Sequence, residues 1–259
     1  MKRSKKILAS LLSVILLSAT LTATPVYAQE QNNEVKMERT VQKSLSAAEK
    51  RTQRIAAGPM VSVSNYTELS EAIEAKATNI YLLQNIQLEN ALQIDYDVFF
   101  LADSVGKTLY AAPGHRHIQT TASDVQLQFD NVILDGKYES GTDTCGGIDA
   151  PFKNISLVGV VIQNCYSKCG SAILNEPEAE FGAFSIYNSV IRNNKVGVDS
   201  AVFIVADDIT IYHTTVENNE GLNKSSAGSG LNLGPRDEST QTSAVIYDSV
   251  IRDNSSNIG

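Results

Sequence analysis

The sequence predicts an all-β fold: a β-solenoid of short strands, about three to a rung, with one short helix at its N-terminal side. Three observations predict it. A nine-residue phrase recurs as "IYNSVIRNN" (Ile186–Asn194), "IYHTTVENN" (Ile211–Asn219) and "IYDSVIRDN" (Ile246–Asn254), with a looser copy "LVGVVIQNC" at Leu157–Cys165. The copies start 29, 25 and 35 residues apart, a spacing that suits stacked rungs with variable loops rather than propeller blades. Between the copies lie further short apolar runs bounded by Asn, Asp or Gly, which leaves little room for helix.

Along the chain, residues 1–28 read as a secretory signal peptide. Lys2, Arg3, Lys5 and Lys6 form the positive segment, "ILASLLSVILLSATLTA" the apolar one, and Ala28 precedes the cut. That leader carries four of the 21 basic residues and no acidic ones, leaving 17 against 29, a net charge of −12. So acidic a surface argues against nucleic acid and anionic lipid as partners. No later stretch is long and apolar enough for a membrane span. The expected location is secreted or cell-surface.

Residues 29–60 are polar and charged without a clean helical period, and read as a linker. The domain is expected over 61–259. Its helix is placed at about 65–76, where Asn65 and Glu68 form a capping box and Leu69, Ala72 and Ile73 an apolar stripe. Strands follow in "NIYLLQNIQL", "LQIDYDVFFLAD", "KTLYAA" and "VQLQFDNVILDG". In the repeating part, "CGGI", "CGSAIL", "DSAVFIV" and "GSGLNL" supply one further strand per rung, and "FKNISL", "GAFSI", "DDITI" and "TSAVI" lead into the next phrase.

Alternation within the phrase points Ile162, Ile191, Val216 and Ile251 inward as an aliphatic ladder, with Ser189, Thr214 and Ser249 beside them. The same parity sets Asn164, Asn193, Asn218 and Asp253 at an inner corner. Outside, Tyr187, Tyr212 and Tyr247 align as a strip that either stacks as a cross-strand ladder or takes sugar rings. Arg192, Glu217 and Arg252 alternate in sign beside it, as rung-to-rung ion pairs would. Cys145 and Cys169 occupy matching places in consecutive rungs, which predicts a Cys145–Cys169 disulfide with Cys165 unpaired.

The helix followed by "IYLLQNIQL", the "DNVILDG" rung and the "SVIRNN" rungs resemble the pectate-lyase-like right-handed parallel β-helix superfamily, in particular its repeat-bearing branch of bacterial surface proteins and adhesins. The resemblance covers roughly residues 61–259. It implies a right-handed parallel β-helix and a stacked asparagine ladder at Asn164, Asn193 and Asn218. It also implies where chemistry would sit: lyases of the family hold calcium in a carboxylate cluster beside a basic residue. The best set is Asp135, Asp143 and Asp149 with Lys137 and Lys153, although their spacing matches no known calcium loop. The polygalacturonase pattern is not met, since "GHRHI" departs from its histidine motif and Asp207–Asp208 lead into a strand. His115 and His117 are expected as solvated loop histidines, and Arg236, on the longest insertion between aligned rungs, as a recognition residue.

Two functions follow. The first is an adhesin-like glycan- or matrix-binding or scaffold module without catalysis, needing no cofactor. The alternative is a calcium-dependent polysaccharide lyase or related glycan-degrading enzyme. "VIRDNSSNIG" brings no terminal cap, so a continuation of the chain or a partner is expected over the last rung.

Overall fold

The computed structural model describes residues 58–139, 144–175, 182–223, 230–234 and 241–256. The expected leader, almost all of the linker, Asp143 and Arg236 lie outside these residues.

The first described element is a strand not expected from the sequence, Met60–Val63, which pairs in parallel with Asn79–Leu82. The helix between them, Tyr66–Glu74, starts at the predicted capping box. Asn65 is extended and its side chain accepts from the Glu68 N–H at 3.0 Å, while the Glu68 carboxylate takes the Ser64 N–H at 2.7 Å and the Asn65 amide at 2.9 Å. Lys76, at φ 54, ends the helical run. Leu69 and Ala72 are buried and Ile73 packs on the core, so the helix covers apolar surface as its stripe requires.

From there the molecule is a right-handed parallel β-helix, the hand that parallel crossovers take. One rung runs Asn154–Val158, Val161–Gln163, Tyr166–Ser167 and Ile173–Asn175; the next runs Ala183–Tyr187, Val190–Arg192, Lys195–Val196 and Val202–Val205. Then come Asp208–Tyr212, Thr215–Glu217, Glu220–Gly221 and Leu231–Gly234, and last Ser243–Tyr247, Val250–Arg252 and Ser255–Ser256. Stacking yields an eight-stranded long sheet, a seven-stranded second sheet, a four-stranded short column and a five-stranded third sheet. The short column is additional to the three strands per rung expected. Its strands are two residues long, too short to show a period in sequence.

Register puts equivalent letters of the phrase on one another. Leu157, Ile186, Ile211 and Ile246 stack in the long sheet, and Ile162, Ile191, Val216 and Ile251 in the second. The small ladder is also as expected. The Ser189 hydroxyl accepts from Val160 N–H at 3.0 Å and Thr214 Oγ1 from Ser189 N–H at 3.4 Å. Ser249 Oγ continues it by accepting from Thr214 N–H at 3.1 Å.

The asparagine ladder is real but one residue further on. Asn164, Asn193, Asn218 and Asp253 adopt left-handed backbone, φ 53 to 55, and lie at the outer side of the corner. A left-handed residue turns the chain and breaks strict alternation, so the next side chain enters the core. Asn194 and Asn219 are therefore fully buried, and Asn254 follows them. Asn219 Oδ1 accepts from Asn194 N–H at 3.1 Å and Nδ2–H at 2.9 Å; its own Nδ2 donates to Ile191 O at 3.2 Å and Asn254 Oδ1 at 2.9 Å. Each amide satisfies the backbone of the rung beside it. In the rung before, Cys165 takes the asparagine's place, and its N–H donates to Asn194 Oδ1 at 2.9 Å.

No helix among the described residues is long and apolar enough to cross a membrane.

Candidate functional site

The predicted tyrosine strip forms in register on the outside of the long sheet, Tyr187 over Tyr212 over Tyr247. Its members differ in access. Tyr187 is 3% exposed, whereas Tyr212 and Tyr247 are half-buried, their rings parallel to 2° with centroids 5.7 Å apart. At the corner beyond them stand His213 and Asp248, both left-handed, with the imidazole bonded to the Asp248 carboxylate. His213 also stacks on Tyr212 at 4.2 Å. Of the three strip tyrosines, Tyr212 and Tyr247 are the two that reach solvent, with Tyr212 stacked on both Tyr247 and His213.

Of the expected calcium set, Asp143 lies outside the described residues and the other two carboxylates are engaged elsewhere. Asp135 is occupied as an acceptor: its carboxylate takes Lys137 N–H at 2.9 Å, Gln163 Nε2–H at 2.9 Å and Asn164 Nδ2–H at 3.1 Å. Asp149 sits on the third sheet with Arg116 Nε at 3.8 Å. Among the described residues no three His, Cys, Asp or Glu side chains gather as metal ligands.

Arg116 and His117, from the "GHRHI" segment, are instead a buried pin, and His117 is not the solvated loop residue expected. Arg116 is 4% exposed and donates to Gly170 O at 2.7 Å, Cys169 O at 2.9 Å and Ser171 O at 3.0 Å. His117 Nε2–H donates to Leu109 O at 2.9 Å, and Nδ1 accepts from Gly147 N–H at 2.8 Å, which requires the neutral ring. Burial, against the opposing pull of the Leu109 and Asp135 carbonyls, lowers its pKa to about 4. The "CGG" spelling answers this packing. Gly147 has φ +80 and a Cβ there would lie 2.1 Å from Ser171 O; at Gly146 it would lie 2.8 Å from Cys165 Sγ.

The same segment explains the cysteines. Cys145 pairs with Tyr166 in an antiparallel bridge, N–H to O at 2.8 Å in both directions, and so sits against the strand after Cys165 rather than stacking on Cys169. The Cys145–Cys169 bond is not formed, and no disulfide joins Cys165 to either. Burial raises the Cys165 pKa well above the usual thiol range, so it stays protonated and inert.

The second sheet carries a polar column on its outer face that the sequence reading saw only in part: Gln87, Tyr110, Asp135, Gln163, Arg192, Glu217 and Arg252 in strict register. The expected alternation of charge holds for one pair. Glu217 takes Arg252 at 2.6 Å, while Arg192 turns the other way to Gln163 Oε1 at 2.9 Å. Beside it, Tyr138 and Tyr166 meet at 4.8 Å. Neither tyrosine belongs to the repeated phrase, so periodicity had no means of flagging them.

No protein-family model, curated protein or solved structure matches the chain.

Proposed function

We propose that this chain is a secreted or cell-surface β-helix of the pectate-lyase-like kind, an adhesin-like module that binds extracellular glycan or matrix without turning it over. The observation that carries this reading is the Tyr212–Tyr247 pair: two parallel, stacked, half-buried rings held by adjacent rungs. A tyrosine face offers apolar area with a polar rim and loses little side-chain entropy on binding, which suits the C–H face of a pyranose. Two of the carboxylates that a lyase would commit to calcium are engaged otherwise: Asp135 accepts from backbone and amide donors, and Asp149 faces an arginine.

The test is a glycan-array and pull-down comparison of the mature chain with a Tyr212→Ala/Tyr247→Ala variant. Retention of one glycan or matrix class that the double variant loses supports the reading. Calcium-dependent release of unsaturated products from an acidic polysaccharide, abolished by Asp135→Asn or Asp149→Asn, would replace it with the lyase.

A further inference from the structure

The outer face of the long sheet is closed at one end. Its first strands set Met60, Asn79, Phe99 and Gln128 in one register column. The residues that alternate with them, Ile80, Phe100 and Phe129, fill the core, so this column points outward. Met60, at the sheet's edge, is 55% exposed, as an outward side chain is expected to be. Asn79, Phe99 and Gln128 are 1%, 4% and 2% exposed, yet none of the three belongs to the core cluster. The described elements stack beside this column rather than over it: each strand lies against the next of its own sheet, and the helix against Met60–Val63. An outward phenyl ring flanked by two amides reaches such burial only under a cover.

The face states what the cover must bring. Asn79 Nδ2 donates to Thr78 Oγ1 at 3.3 Å, but its buried Oδ1 accepts from nothing, so a donor is required there. Asp97 and Asp130 stand two positions to either side of the column on the same face. Asp130 enters none of the ion pairs among the described residues, and burial pushes its carboxyl up. The cover is therefore apolar over Phe99 and cationic at both margins. The described residues begin at Gly58, two positions before Met60 and so at the edge of this same sheet. Residues 44–57, "SLSAAEKRTQRIAA", carry Leu45, Ala48 and Ile55 together with Lys50, Arg51 and Arg54 against the single acid Glu49. Phe99 lies two strands from Met60, about 10 Å away. The 14 residues span about 21 Å even at the helical rise, so they reach it.

We propose that residues 44–57 turn back as a strap over the outer face of the long sheet, Leu45 and Ile55 covering Phe99 and the basic side chains meeting Asp97, Asp130 and Asn79 Oδ1. What reads in sequence as a linker is then part of the domain. The strap closes the N-terminal end of this face and leaves the Tyr212–Tyr247 end open, so an outside partner finds only the last rungs of the long sheet available. The inference does not rest on what that partner is.

The chain contains no tryptophan, so Phe99→Trp places a single fluorescent reporter under the strap. In the mature chain this reporter should resist quenching by acrylamide. Adding Leu45→Asp and Ile55→Asp should make it quenchable, the docked population falling at least about tenfold. The far-UV circular dichroism should not change, since neither position lies in a described strand. A second measurement needs no substitution: carbodiimide coupling of the dilute mature chain should join Lys50 to Asp97 or Asp130 within one molecule. A reporter shielded equally with and without the two new aspartates, or one exposed from the start, would overturn the strap. So would shielding that rises with protein concentration, which would make a second copy the cover, or coupling of Lys50 to neither aspartate.

Discussion

The phrase Ile186–Asn194 and the phrase Ile246–Asn254 differ little in sequence, yet their surroundings are opposite. Ile191 is 1% exposed and Ile251 is 48% exposed, and Asn194 is fully buried where Asn254 is not. Both isoleucines point inward and both asparagines follow a left-handed residue, so the local conformation is the same. What differs is the number of neighbours among the described residues: the first phrase has a rung on each side, the second a rung on one. Burial in this molecule is a property of the stack, gained rung by rung, as nearest-neighbour energetics in solenoids require.

The largest expected effects break that contrast directly. Ile191→Ala should lower unfolding stability in urea by about 3–4 kcal/mol, the cost of a core cavity. Ile251→Ala, at the half-open rung, should cost about 1 kcal/mol or less. Equal losses at the two positions would mean that the last rung is covered in solution.

Next in size is the acid response of His117, which is walled between rungs. The unfolded chain takes up a proton near the ordinary histidine value of 6.5, and the folded chain only near about 4. Between those values the unfolded state binds more protons, so stability should be full above about pH 6.5 and fall as pH drops toward 4, by about 3 kcal/mol in all. In His117→Gln this slope should vanish from equilibrium unfolding measured across that range.

The ladder comes third. Asn219→Ala should cost about 2–3 kcal/mol, because it strands buried N–H and C=O groups in two neighbouring rungs. Asn218→Gly should be neutral or stabilising, since φ 54 suits glycine and the side chain is exposed. Smallest is Arg252→Ala. Its pairing with Glu217 is largely solvent-exposed on the arginine side, and thermal unfolding should register about 0.5 kcal/mol or less.

Much of the stack was legible in sequence because stacking writes a column of like residues: Ile162, Ile191, Val216 and Ile251, or Ser189, Thr214 and Ser249, are visible as repeats. The corner was misread by one residue because alternation assumes extended backbone, and Asn193 and Asn218 are left-handed. The pin of Arg116 and His117 was missed for a different reason. Its partners are main-chain groups, the carbonyls of residues 169–171 for Arg116 and the Leu109 carbonyl and Gly147 N–H for His117, and main-chain groups leave no letter in a sequence. The candidate site was legible in its repeating part, Tyr187, Tyr212 and Tyr247; Tyr138 and Tyr166 lie outside the repeated phrase.

Native-state hydrogen exchange across the second sheet tests the central claim most directly. An interior parallel strand bonds on both sides and an edge strand on one. Amides of Val190–Arg192 and Thr215–Glu217 should exchange only near the global unfolding limit, and those of Val250–Arg252 at least about a hundredfold faster. Equal protection of Ile191 and Ile251, measured on this 259-residue chain as a monomer, would contradict the account, because the phrase would then carry its own stability without a rung above it.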